Sequence, residues 1–274
     1  MKKIKRLKNM YLCFTKAGLK VTSTYKSDLI GYFIGESLYN IVLIYVWKCL
    51  YQYNGIGTMN GFTYMQMVLY LLLSGIISFM DETDSIFTLG EEIRSGDIVM
   101  RLIKPISLDK SILFFELGNK ILMFLCVFVP STFFVSVYIW FAYGVVYPFL
   151  SYFIFFVSMV LSYMISFYFN MMFGFLAFYL LNLWGVSMLK TAIVKFFSGQ
   201  IIPLFLFSSF FEKLFSILPM AAMTYTPVML FLGRYSGKGI LLHMGIQIIW
   251  LLIFYFVCHI IWKNVQDKLM IQGG

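Results

Sequence analysis

Four cysteines, two histidines and 12 carboxylates are the side chains of this 274-residue chain best suited to bind a metal or to exchange a proton at acid to neutral pH. Cys13, Cys49, Cys126 and Cys258 stand far apart, with no CxxC pair and no His pair nearby, so neither a zinc site nor a disulfide framework is indicated. They read as small apolar side chains. His243 and His259 fall in or near one apolar stretch, where a lone histidine reads as packed or interfacial rather than as a metal or haem ligand. No apolar stretch carries a Ser/His/Asp set or two carboxylates at helical spacing, which argues against an enzyme. A GxxxxGK[ST] loop is also missing, so the chain holds no ATP of its own.

One acid is unusual. Glu36 lies several residues inside an apolar run, where an ionised carboxylate costs at least about 2.5 kcal/mol unless it is paired or wet. It must face protein or water, either lining a path or making a structural hydrogen bond. Just before it, Gly31-Tyr-Phe-Ile-Gly35 is either a GxxxG step for close helix packing or two incidental glycines.

The elements that position these residues follow from composition. Hydrophobic residues make up 61% of the chain and charged ones 12%, against about a quarter in soluble domains, so lipid is the solvent. The net charge of +9 sits beside apolar runs and meets anionic headgroups, which removes the case for nucleic acid. Six spans are expected: Leu29–Leu50, Phe62–Met80, Ile112–Phe141, Pro148–Leu181, Met188–Phe207 and Ile240–Trp262. The whole of 1–274 reads as one all-α membrane domain. Residues 1–27 place Ile4, Leu7, Tyr11 and Phe14 at helical spacing among lysines, predicting an uncleaved amphipathic helix on the inner leaflet. With that end in the cytoplasm, 17 basic residues fall inside and four outside, accounting for all 21 and predicting both termini cytoplasmic.

Two connections are not simple loops. Residues 81–110 hold seven of the 12 carboxylates, with Thr88-Leu-Gly-Glu91 as a capping box and Gly96 as the stop of a short helix. Residues 208–239 are apolar yet broken by Pro219 and Pro227, each half too short to span, which predicts two helices re-entering the outer leaflet.

The run Leu89-Gly-Glu-Glu-Ile-Arg-Ser-Gly-Asp-Ile-Val-Met-Arg-Leu-Ile-Lys-Pro-Ile-Ser107 resembles the cytoplasmic pattern of permease subunits of type-2 ATP-binding-cassette exporters, in the branch with paired permeases. Phe197-Ser-Gly-Gln-Ile-Ile-Pro-Leu204, Leu218-Pro-Met-Ala-Ala-Met-Thr-Tyr-Thr-Pro227 and Leu232-Gly233 are similar to the family's outer hairpin. Ser208-Ser209 and Pro219-Met220 depart from it, standing where relatives tend to have Pro and Pro-Phe; a looser gate and a different substrate are the two readings.

The resemblance implies a bacterial cell-membrane exporter subunit that pairs with a second permease, identical or related, and with separate ATPase subunits that carry the ATP and Mg. It implies ATPase coupling through Glu91, Glu92, Arg94, Gly96, Asp97, Arg101, Lys104 and Pro105. An outer gate would include Pro203, Glu212, Lys213, Pro219 and Pro227, and a path or packing surface Gly31, Gly35 and Glu36. The Phe, Tyr and Met content fits an amphipathic, peptide-like or lipid-like cargo, although belts and core packing also use it. The rival reading is a non-transporting scaffold or sensor that docks a cytoplasmic partner.

Overall fold

The computed structural model describes residues 2–55, 57–81, 85–103, 106–180 and 182–272. Lys104, Pro105 and the side chain of Glu36 lie outside the described residues. The helices, in chain order, are α1 Lys2–Thr24, α2 Lys26–Asn54, α3 Tyr64–Asp81, α4 Ser85–Ser95, α5 Ile98–Leu102, α6 Leu108–Met123 and α7 Val129–Tyr143. They continue as α8 Phe149–Gly174, α9 Trp184–Phe197, α10 Ser209–Ser216, α11 Pro219–Met223, α12 Tyr225–Phe231 and α13 Gly237–Gln272.

A membrane interior offers no water to backbone amides, so helices dominate. The exception is a small hairpin, β1 Thr58–Met59 and β2 Phe62–Thr63, turned by Asn60 and Gly61 with φ of 46° and 77°. Positive φ at both central residues suits an Asn-Gly turn. The hairpin is clasped from outside the pair: Asn60 donates to the Phe205 carbonyl at 2.8 Å, and Arg234 donates to the Gly61 carbonyl at 2.7 Å while covering the Phe62 ring.

Five helical stretches among the described residues are long and apolar enough to cross a membrane: Phe33–Tyr53, Tyr64–Asp81, Leu108–Phe141, Phe149–Phe178 and Gly237–Val265. The expected fifth crossing, Met188–Phe207, is not one helix. At about 1.5 Å per residue, the 14 residues of α9 reach only about 21 Å of the roughly 30 Å core. Gly199 stops it with φ of 76°, and Pro203 follows. The third crossing is long because a π-helical turn, Phe124–Phe128, joins α6 to α7. Pro130 lacks the N–H that would bond back to Cys126, and a widened turn before it accommodates that loss.

Among the described residues, two large apolar clusters fill the bundle, with a small third one at Ala177 and Leu183. One, around Tyr70, Phe155, Tyr225 and Phe231, fills the end near the β-hairpin; the other, around Leu89, Ile98, Phe167 and Phe175, fills the end near α4. The N-terminal helix is docked tightly as well as amphipathic. On Gly18 a Cβ would sit 2.0 Å from the Phe115 carbonyl oxygen, and on Gly118 2.1 Å from that of Thr15, so α1 and α6 touch backbone to backbone. Thr22 seals the crossing by donating to Asn119 Oδ1 at 2.9 Å. By contrast, no atom lies within 4 Å of a Cβ on Gly31 or Gly35. Gly118→Leu should therefore lower stability by about 2–3 kcal/mol, because backbone cannot swing aside as a side chain does. Gly31→Leu should leave the melting temperature of the detergent-solubilised chain unchanged; equal effects of the two would contradict the close crossing.

Candidate coupling element and buried polar stripe

The short helix expected in the 81–110 connection begins at Ser85, three residues before the proposed capping box, so Thr88 lies inside α4 rather than at its start. The described residues show the other end as expected: Gly96 has φ of 81° and its N–H reaches the Ile93 carbonyl at 3.4 Å. Leu89 is buried, and a Cβ on Gly90 would stand 2.6 Å from Leu183 Cδ1 and 3.7 Å from Ala177. This face wedges α4 against the 3₁₀ turn Phe175–Phe178 that ends α8 and against the strand of chain leading to α9.

Of the eight residues assigned to coupling, the structure joins Glu92 and Arg101, whose side chains meet at 2.5 Å across the α4–α5 turn. Asp97 accepts from Ser95 Oγ at 2.7 Å, and Arg94 Nε donates to the Gly90 carbonyl at 3.3 Å. Glu91, Arg94 and Asp97 are exposed. The result is a short charged surface on a braced helix.

At the other end, every residue from Ala221 to Leu232 is buried, so α11 and α12 lie within the bundle against α3, α8 and α13. Pro219 opens α11, and Thr224 breaks the pair. Pro203 is buried and Lys213 exposed. Glu212 is more than a rim charge, for its Oε1 accepts from the buried Tyr225 hydroxyl at 2.9 Å. Tyr70 donates to the Gly199 carbonyl at 2.8 Å, tying α3 to the stop of α9. Burial, with Glu212 adding to it, raises the Tyr235 phenol above its ordinary range, so the ring stays neutral as it stacks on His243 at 3.8 Å.

Between the two ends runs a feature that sequence reading missed. Ser158, Ser162, Ser166 and Asn170 recur every four residues and form one polar face of α8, roughly 18 Å long at 1.5 Å per residue. Ser158 Oγ donates to Gln247 Oε1 at 2.9 Å, and Gln247 Nε2 donates to the carbonyls of Ala222 at 2.9 Å and Ser158 at 3.2 Å. Ser162 donates to the Met223 carbonyl. Ser166 donates to Asp81 Oδ2 at 2.9 Å, and Lys190 to Asn170 Oδ1 at 2.6 Å. Glu116 and Lys120 are buried in α6 close by. Asp81, the first residue of the 81–110 connection in the sequence, closes α3 inside this network. The i, i+4 serine spacing was the available signal.

Among the described residues, no group of three or more His, Cys, Asp or Glu side chains is placed to hold a metal. A family model of ABC-2 family transporter proteins matches residues 38–273, from the middle of α2 to the end of the chain. The chain belongs to the ABC-2 transporter family. No curated protein matches it significantly. This ABC-2 permease is thus a multi-pass membrane subunit of an ABC transporter, from a family that is generally non-catalytic and whose membership implies ABC ATPase partners. Its helix α1 and the Gly31–Glu36 step precede the matched residues; α4, α5, the broken fifth segment and the α10–α12 hairpin lie within them.

Proposed function

We propose that this permease exports an amphipathic cargo, peptide-like or lipid-like, from the cytoplasm or inner leaflet, as one half of a permease dimer driven by two separate ATPase subunits that bind the ATP and Mg. In this reading α9 and the segment through Leu206 form a broken fifth crossing, bringing the total to six with cytoplasmic termini, in a bacterial cell membrane. Residues 1–27 lie on the inner leaflet, α4 and α5 within 81–110 dock the ATPase, and 208–239 closes the outer end. Gly31, Gly35 and Glu36 face the partner permease or the path.

One observation carries the coupling: α8 touches both working parts. Its C-terminal 3₁₀ turn seats α4, and Ser162 on its polar face holds the Met223 carbonyl at the α11–α12 break. A rigid displacement of α4 is therefore delivered along one helix to the hairpin, as packed elements move in discrete steps rather than by bending.

The test has two parts. A cysteine at Ser107 or Gln272 should be labelled only from the cytoplasm and one at Tyr235 only from outside; outside labelling of Gln272 would sink the even count. The permease purified with the ATPase that binds it should change that enzyme's rate of hydrolysis. Binding without any change in rate would favour the scaffold reading instead.

A further inference from the structure

Asp81, Ser162 and Met223 form an arrangement whose protons do not suffice for its contacts. Ser162 Oγ lies 3.3 Å from Asp81 Oδ2 and also on the Met223 carbonyl, yet a hydroxyl has one proton to donate. Ser166 also donates to Asp81 Oδ2, while Oδ1 is covered and without a hydrogen-bond partner among the described residues. With Asp81 ionised, the serine proton is drawn to the carboxylate and the Met223 carbonyl is released. With Asp81 protonated, its hydroxyl donates to Ser162 Oγ and Ser162 donates onward to Met223.

Met223 ends α11 at the break before α12, so its carbonyl has no successor in the helix to pair with. The adjacent carbonyl, Ala222, is held by Gln247 of α13, a group that does not titrate. The bond from Ser162 thus depends on a proton, whereas those from Gln247 and from Trp250, which donates to the Ile217 carbonyl at 2.7 Å, do not.

We infer that Asp81 is a proton-binding site in the membrane interior of this permease, and that its proton latches the α11–α12 hairpin to α8 through Ser162. The titratable groups around it are Lys120 and Glu116 of α6 and Tyr163 of α8; α11 offers none. Glu82 and Asp84, next along the chain, lie outside the described residues. Lys120 is the cation that faces Asp81 from α6. The inference rests on the proposed burial of the hairpin at membrane depth, and needs neither cargo nor ATPase for its test.

A nitroxide attached at Ile217→Cys, in a full chain whose other cysteines are replaced, reads hairpin mobility in lipid vesicles. From about pH 5 to about pH 9, where buried carboxyls titrate, the mobile fraction should rise about threefold. Asp81→Asn, whose amide donates as the protonated acid does, should stay immobile at every pH, and Ser162→Ala mobile at every pH. A flat wild-type response, or one that persists in Asp81→Asn, overturns the inference. Infrared difference spectra supply a second measure: a protonated-carboxyl band must titrate with the same midpoint and vanish in Asp81→Asn, and its absence overturns the inference too. Access of a water-soluble relaxation agent to the same label reports depth, so a hairpin lying in bulk water is recognised separately from a hairpin that does not titrate.

Discussion

Valine at Gly96 should reduce stimulation of the partner ATPase at least tenfold while leaving membrane insertion intact. The backbone there has φ of 81°, a conformation that costs an L-residue about 1–2 kcal/mol and a β-branched one more. Nothing lies within 4 Å of a Cβ at this position, so a loss of function would come from re-aiming α5 relative to α4 and not from collision. A graded series follows: Asn tolerated, Ala weakened, Val severe, since a tenfold effect corresponds to about 1.4 kcal/mol. The Glu92–Arg101 pair provides the comparison. Its side chains are 21% and 27% exposed, so the pair is partly buried but still screened by water and contributes about 1 kcal/mol, and Glu92→Gln should lower stimulation by fivefold at most. Reversing Glu91 and Glu92 to Lys should detach or uncouple the ATPase. Normal ATPase binding and stimulation in both Gly96→Val and the double reversal would remove α4 and α5 from the coupling role.

Gln247→Leu should loosen the hairpin and destabilise the permease by about 2–4 kcal/mol, read as unfolding in mixed detergent micelles. Gln247 is fully buried and is the partner of the Ala222 carbonyl, which would be stranded in an apolar interior once the amide is gone. Ser158→Ala should cost far less. The Gln247 amide can still reach Ala222, and the serine hydroxyl it loses is one that α8 could have satisfied from its own preceding turn. Equal effects of Ser158→Ala and Gln247→Leu would show that the Ala222 bond does not hold the hairpin.

Much of this organisation is legible in the residues, and the failures have physical reasons. Apolar runs announce the five helical stretches of spanning length among the described residues because bilayer thickness fixes that length. Gly96 announces its turn because few residues tolerate its backbone. The broken fifth segment looks continuous in the sequence, for hydropathy sums Ile201, Ile202 and Leu204 into a span without registering that Gly199 and Pro203 stop the helix. The polar stripe escaped for a related reason. Scattered serines barely lower the hydropathy of α8, and only their spacing, together with Gln247 and Asp81 arriving from distant parts of the chain, turns them into a network. The position of Asp81 was likewise hidden, because a carboxylate at the end of an apolar run reads as the start of the loop.

The crossing of α1 over α6 sets an order of events during synthesis. Thr22 and Asn119, which join the two helices, are 97 positions apart. A ribosome adding about 5–20 residues per second delivers the second roughly 5–20 s after the first. For that interval the newborn amino-terminal helix has no groove to enter, and its glycine face has nothing to close against. On the proposed inner-leaflet placement of residues 1–27, the lysines along its length then have a use that precedes any role in the finished molecule, since attraction to anionic headgroups would hold the helix at the bilayer surface until α6 arrives.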